Sequence, residues 1–190
     1  MYDYGYVIIA SWLVLMVVWV LGSFTAKRDV SSSSRSVVWT WIWRLLLLGL
    51  LIFALTRNPS QDAAVLERAF FDFGPAVGWI GAVLTVAGVA GAIWARYLLG
   101  RDWGARPKED HQLVTSGPYA YVRHPIYAGA ILALFGSALT GSIVGVALFI
   151  ISIVFCLRRV GKEERALLSL FPRQYSAYQA RTKRFIPFVW

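Results

Sequence analysis

Long apolar runs alternate with short polar segments along the chain, and each run predicts a helix. Tyr4 to Phe24 is the first, about 20 residues and so long enough for a hydrocarbon core of ~30 Å. Lys27, Arg28 and the polar run Ser31 to Ser36 make a short loop. Val37 to Thr56 is the second run, with Trp39, Trp41 and Trp43 near its start. Asn58 to Gly74 is mixed and polar, and Pro75 then suits the first turn of a third helix, from Ala76 to about Leu99. Gly100 to Arg123 is the longest polar stretch. Two further runs, Ile126 to Leu139 and Ile143 to Leu157, are separated only by Thr140, Gly141 and Ser142. Each is short for a full span, and together they predict a tight helical hairpin that crosses and returns. Arg158 to Trp190 is charged and partly amphipathic. The expected fold class is an all-α integral membrane domain of five transmembrane helices with a C-terminal helical segment. Residues 1–190 form one domain: three helices and their loops over 1–99, then the polar loop, the hairpin and a C-terminal cap over 100–190.

Composition supports the membrane reading. Hydrophobic residues make up 58% of the chain and charged residues 15%, where a soluble domain carries about 25% charged. Nine Trp and nine Tyr add rings that favour the membrane–water boundary. The net charge of +9 would suit nucleic acid, but the basic residues sit between and after the apolar runs, where topology alone demands them, and no nucleic-acid partner is expected. Cys156, the single cysteine, lies inside an apolar run, so there is no disulfide framework and the thiol reads as buried and inert. No Lys or Arg precedes the first run and no Ala-x-Ala-like signal follows it, so the first segment is expected to stay as a helix.

Lys and Arg near the span ends set the expected orientation. Lys27, Arg28 and Arg35, then Arg101, Arg106, Lys108 and Arg123, fall on one side with the tail, which carries Arg158, Arg159, Lys162, Arg165, Arg173, Arg181, Lys183 and Arg184. The other side has Arg57 and Arg68, diluted by Asp62, Glu67 and Asp72. Five spans with this bias put the N-terminus outside and the C-terminus in the cytoplasm. In the third helix, Gly81, Gly88, Gly91 and Ala92 have spacings that let backbones approach closely, which reads as helix packing. Arg44, inside the second run, either snorkels to the cytoplasmic surface or meets a substrate.

The polar chemistry gathers in two segments flanking the hairpin. One runs from His111 through Gly117, Pro118, Tyr119, Arg123, His124, Pro125 and Tyr127 to Gly129. The other runs from Arg158 to Glu164, followed by Leu167, Phe171, Tyr175 and Tyr178. A tight hairpin returns the chain to the side it left, so both segments are expected side by side at the membrane surface. Gly117-Pro118 predicts a turn whose backbone groups could read a ligand edge. His124 precedes Pro125, which biases its backbone away from the helical region where the fourth helix begins. Gly129 removes bulk near Tyr127. The same features also fit an aromatic interfacial loop that merely closes a helix N-terminus. Arg159 and Glu163 are four apart on one helix face, a spacing that also fits a surface ion pair worth ~0.3–0.5 kcal/mol. Glu163 and Glu164 could equally be solvated charge. His111 and His124 lack Cys partners, so no metal site is expected. A Gly-rich phosphate loop and a nucleophile elbow are both absent from the sequence.

At these residues the chain resembles the isoprenylcysteine carboxyl methyltransferase family and its prokaryotic relatives. The pattern is Leu-Val-Thr-Ser-Gly-Pro-Tyr from Leu113, Arg-His-Pro-x-Tyr-x-Gly from Arg123, and Glu-Glu-x-x-Leu from Glu163, before Phe171, Tyr175 and Tyr178. It covers about the last 80 residues, and the Arg-His-Pro-x-Tyr piece also occurs in membrane sterol reductases and phospholipid methyltransferases. The resemblance implies a multi-helix membrane enzyme that uses S-adenosylmethionine, with S-adenosylhomocysteine as product, and a lipophilic acceptor entering from the bilayer. Carried over by position, His111, Gln112, Leu113, Val114 and Tyr119 line the donor site, His124, Pro125, Ile126 and Tyr127 form a second wall, and Glu163 reaches the donor from the tail. Arg159 holds the acceptor carboxylate. Two departures stand out: the family's polar donor contact upstream of His111 falls near Gly104, which has no side chain to offer, and Phe171-Pro172 replaces the usual Phe-Gly. The alternatives are a membrane NADPH-dependent reductase of the sterol reductase type, or a phospholipid N-methyltransferase. The physiological acceptor and the oligomeric state are not written in the sequence.

Overall fold

Prolines and glycines decide where the helices begin and end. A computed structural model describes residues 3–25, 73–100, 113–141 and 143–187, with the backbone alone for 23–25, 143 and 144. Helix α1 is Asp3–Thr25 and α2 is Gly74–Leu99. Pro75 occupies the first turn of α2, and Gly100, at φ 54°, ends it in a conformation that glycine accepts most readily. A single 3₁₀ turn, Gly117–Ala120, precedes α3, Pro125–Ala138. Leu139 to Gly141 reverse the chain, with Gly141 at φ 83°, and α4 runs back as Ile143–Leu170. Helix α5 is Pro172–Arg181. The described residues contain no strand, only one isolated parallel bridge between Val122 and Lys183.

The hairpin expected from the two short apolar runs forms as α3 and α4. The apolar run of α4 stops at Leu157, yet the helix does not: it continues through the charged Arg158 to Leu170 as one rod. At 28 residues it is about 42 Å long, well beyond the hydrocarbon thickness. The stop comes at Phe171-Pro172, because the residue before proline is pushed out of the helical region; Phe171 sits at φ −127°, ψ 58°. Pro172 then opens α5, so the departure from Phe-Gly ends α4 and restarts a helix at once.

Glycine brings α2 and α3 together. A Cβ at Gly88 would lie 2.5 Å from both Gly129 O and Ala133 N, and one at Gly129 would lie 2.6 Å from Gly88 O. Gly81 and Gly136 face each other's carbonyl in the same way, so the two helices are antiparallel. Close backbone packing is what association in lipid requires, where burial of side chains from water supplies no drive. Gly129 therefore clears space for α2, not for Tyr127 as its position in the sequence suggests. A Cβ at Gly91, by contrast, would meet nothing within 4 Å among the described residues. Gly88→Ala is expected to lower stability by roughly 1–3 kcal/mol, since backbone rather than a flexible side chain must yield. Gly91→Ala should be neutral or better; thermal unfolding in detergent of both variants checks this.

Helix α1 lies parallel to α2. Tyr4 packs on Gly78 and meets Trp79 edge-on, with ring centroids 6.3 Å apart. At the other end, Arg96 donates to Gly22 O at 3.1 Å and to Gly100 O at 2.8 Å. A cation there suits the C-terminal ends of both helices, where carbonyls lack intrahelical partners. Between these ends, Trp12 Nε1 donates to Ser137 Oγ at 3.0 Å, and Ser137 and Thr85 both donate to Ala133 O. This polar node links α1, α2 and α3.

The apolar side chains not used in packing face outward. Leu21, Val83 and Ile151 are each more than 60% exposed. Fully burying such a side chain is worth ~1.5–3 kcal/mol against water, so many of them exposed together suit lipid. Among the described residues, Asp3–Gly22 and Gly74–Leu99 are long and apolar enough to cross a membrane. The second run, Val37 to Thr56, and Arg44 within it lie outside the described residues.

Candidate active site

The antiparallel order of α2, α3 and α4 collects one set of ends: the C-terminus of α2, the N-terminus of α3 and the charged half of α4. The segment from Leu113 to His124 and the tail after α5 close over the same end. Arg123 N donates to Lys183 O at 2.7 Å and His124 N to Arg184 O at 3.1 Å, so the tail pairs edge to edge with the residues before α3. The two polar segments expected to meet do meet.

Glu163 and Glu164 project about 100° apart from α4 and have opposite surroundings. Glu164 is buried. Its Oε1 accepts from Arg123 Nε at 2.9 Å and lies 3.4 Å from His124 Nε2. Its Oε2 accepts from Arg184 Nη2 at 2.9 Å and Nε at 3.2 Å. Burial works against ionisation of this carboxyl, but hydrogen bonds from His124, Arg123 and Arg184 outweigh that and hold it down to about 2. The Arg123 side chain is only 10% exposed, and its Nη1 donates to the carbonyls of Gln179 and Thr182 at the end of α5. One carboxylate thus ties α4 to the start of α3, the end of α5 and the tail. Sequence reasoning did not single out Glu164, Arg123 or Arg184 for this role; the only signal was the paired glutamates themselves.

Glu163 is half-buried and set for different work. Its Oε1 accepts from both Tyr127 OH and Arg159 Nε, each at 2.8 Å. Its Oε2 faces His124 Nδ1 at 4.0 Å and accepts no hydrogen bond among the described residues. The carboxylate is therefore fixed through one oxygen and open at the other. His124, buried and held non-helical at φ −127° by Pro125, stands between the two glutamates. Phe185 and Tyr127 pack on its ring at 6.1 and 6.0 Å. Tyr127, His124, Glu163 and Arg159 thus come together as one contact chain.

The other expected site residues have more structural positions. Pro125 is buried in the first turn of α3, and Ile126, Leu113 and Val114 are half-buried. Tyr119 is buried, its hydroxyl donating to Ala95 O at 3.4 Å, and its carbonyl accepts from Tyr178 OH at 2.6 Å. Burial raises both phenols, Tyr178 to about 12, which keeps the protons on these two donors. The Gly117-Pro118 turn forms, but its backbone serves the fold: Ser116 O, Pro118 O and Tyr119 O all accept hydrogen bonds from within the protein. His111, Gln112 and Gly104 lie outside the described residues. No cluster of three or more His, Cys, Asp or Glu suited to a metal occurs among the described residues.

The helices that carry this arrangement fall within the match to a known family. The model of the isoprenylcysteine carboxyl methyltransferase (ICMT) family matches residues 80–169. The chain is a relative of that family. The solved eukaryotic intramembrane Ras methyltransferase ICMT superposes with a TM-score of 0.53 at 28% identity, over 70% of this chain and 55% of that one. The protein-S-isoprenylcysteine O-methyltransferase of Schizosaccharomyces pombe is 37% identical over 87 residues, 45% of this chain and 37% of its own. The nickel-cobalt-cadmium resistance protein NccN of Alcaligenes xylosoxydans xylosoxydans is 29% identical over 150 residues, 77% of this chain and 63% of its own. The chain therefore spans less than two thirds of the length of each of these three relatives. The ICMT-like fold is all-helical here, and the matched region holds α3, most of α2 and nearly all of α4, the helices that carry Tyr127, Arg159 and Glu163.

Proposed function

We propose that this chain is a membrane methyltransferase that uses S-adenosylmethionine to methylate the carboxylate of a prenylcysteine-like or other lipid-linked acceptor. The observation that carries this reading is the Glu163 carboxylate, fixed on one oxygen by Tyr127 and Arg159 and open on the other. The described residues fit such a donor: an anionic oxygen without a hydrogen bond suits an ammonium group, and no phosphate-binding glycine loop stands beside it. The donor supplies an activated methyl group on a sulfonium. Glu163 would hold the donor's ammonium group, with His124, Pro125, Ile126 and Tyr127 as one wall and Leu113, Val114 and Tyr119 as the other. His111 and Gln112 complete the set by resemblance. Arg159 donates to Glu163 through Nε and also lies against Tyr127; its guanidinium carries further N–H groups that would fork onto an acceptor carboxylate, a geometry that Lys lacks. A carboxylate is already ionised at neutral pH, so the protein has no proton to remove. Its contribution is alignment and the exclusion of water.

The finer topology belongs to the same proposal: five spans, the N-terminus outside, and the donor site with the C-terminus in the cytoplasm. Parallel α1 and α2, both long and apolar enough to cross a membrane, support it. The cations of α4 and α5 cluster beyond the apolar part of the hairpin, in keeping with the positive-inside bias.

Calorimetric titration of S-adenosylmethionine, and separately of NADPH, into detergent-purified protein tests the reading. Saturable binding of the methyl donor and none of NADPH is expected, with methyl transfer to an S-prenylated N-acylcysteine. Binding of NADPH alone would hand the site to a reductase. Arg159→Ala should lower transfer about tenfold while donor affinity changes much less. Equal loss of both would remove Arg159 from the acceptor side.

A further inference from the structure

Helix α4 carries a second charged face that the site does not use. Arg158, Lys162 and Arg165 recur at i, i+4 and i+7, within roughly 60° of one another around the helix. All three are exposed. They lie opposite the buried side of the rod, which is formed by Val160 and Glu164. Among the described residues no acid pairs with them. The nearby carboxylates, Glu163 and Glu164, turn away and are held by Tyr127, Arg159, Arg123, His124 and Arg184. Following the same outer face towards the start of α4, the stripe gives way to Ile151, Val154 and Phe155, which are 61%, 47% and 55% exposed. One continuous face thus passes from lipid-suited side chains to a row of cations, without an acid partner among the described residues, within a single turn.

We propose that this face of α4 is a docking surface for anionic lipid headgroups, with acyl chains lying along Ile151, Val154 and Phe155 and the phosphate held by Arg158, Lys162 and Arg165. Charge complementarity and the unbroken join to the apolar face select a lipid over a soluble anion: a free phosphate would use the cations and gain nothing from the side chains below them. Arg158, nearest the boundary, takes the phosphate directly. Lys162 and Arg165 reach back on long flexible stems, as basic side chains do at an interface. Each cation near an anionic surface strengthens attachment about fivefold. The site lies on the opposite side of α4 from Glu164 and does not depend on the methyltransferase reading.

Native mass spectrometry of the protein purified in a non-ionic detergent, titrated with dioleoylphosphatidylglycerol or dioleoylphosphatidylcholine, tests this directly. Phosphatidylglycerol is expected to be retained preferentially and to raise the melting temperature, and glycerol phosphate without acyl chains to do neither. The R158Q/K162Q/R165Q variant should bind phosphatidylglycerol about 100-fold more weakly and lose most of the thermal shift. R158K/R165K, which keeps the charge, should retain both, as should R173Q/R181Q on α5. If the glutamine variant fails to fold, Phe155→Ser combined with K162Q provides the same comparison with less change in charge. Equal retention of the two lipids, or a phosphatidylglycerol effect that survives in the glutamine variant, would overturn the proposal. An effect reproduced by glycerol phosphate would overturn it as well.

Discussion

Glu164→Ala should be the most destabilising single change in this protein, costing roughly 3–5 kcal/mol. The alanine leaves the largely enclosed Arg123 guanidinium without its carboxylate, and removing one partner of such a pair costs far more than the pair itself contributes. Arg184 loses both of its contacts at Oε2, and His124 loses its neighbour at Nε2. The Val122–Lys183 pairing should loosen in consequence, so that the amides of Arg123 and His124, which donate to Lys183 O and Arg184 O, exchange with solvent faster. The same carboxylate predicts a pH dependence. Its folded value of about 2 lies below the ordinary 4.5, so its stabilisation is complete above about pH 5 and drains away as pH falls towards 2. A shift of that size corresponds to ~3 kcal/mol over the window. Glu164→Gln cannot lose a charge there, and its melting temperature should be flatter between those values. Melting curves in detergent at several pH values measure both effects. An alanine variant as stable as wild type would show that the tail is held by something other than Glu164.

Glu163→Gln should produce the opposite result one residue away. The amide keeps an oxygen for Tyr127 and Arg159 and nearly the same shape, and the site is half-exposed, so stability should change by less than ~1 kcal/mol. Donor affinity, by contrast, should fall about 100-fold, the scale of losing a charge-assisted hydrogen bond to an ammonium group. Calorimetry with S-adenosylmethionine reads the affinity and a thermal melt reads the fold, on the same preparation. The contrast between the two neighbours makes the test sharp. If Glu163→Gln binds the donor as wild type does, the open oxygen has another purpose and the assignment of the donor site fails. If both glutamine variants lose stability alike, the division of labour between the pair is wrong.

Much of the scaffold was readable from the chain. Pro75 and Pro125 begin helices because their missing N–H costs nothing in a first turn. Three residues between two apolar runs leave no path but a hairpin. Gly81, Gly88 and Ala92 marked a packing face correctly, although Gly91 has no close neighbour among the described residues and Gly129 turned towards α2. The continuation of α4 past Leu157 was not readable, because the hydrophobic signal that marks a membrane span ends there while the backbone has no reason to stop before Pro172. The pairing of the tail with Tyr121 to His124 left no trace in the pattern either, since a single bridge needs no alternation of side chains.

The sequence by itself determined where α2 and α3 begin, the tight turn of the hairpin, and the gathering of charge at one end of it. These follow from local quantities: the length of an apolar run, the fixed φ of proline, the freedom of glycine. Only the tertiary structure decided which of two identical neighbours, Glu163 and Glu164, is buried in a cage of cations and which keeps an open oxygen. Successive residues on a helix point about 100° apart. What each one meets depended on Arg123 and His124 about forty positions back and Arg184 twenty positions on, brought together only by folding.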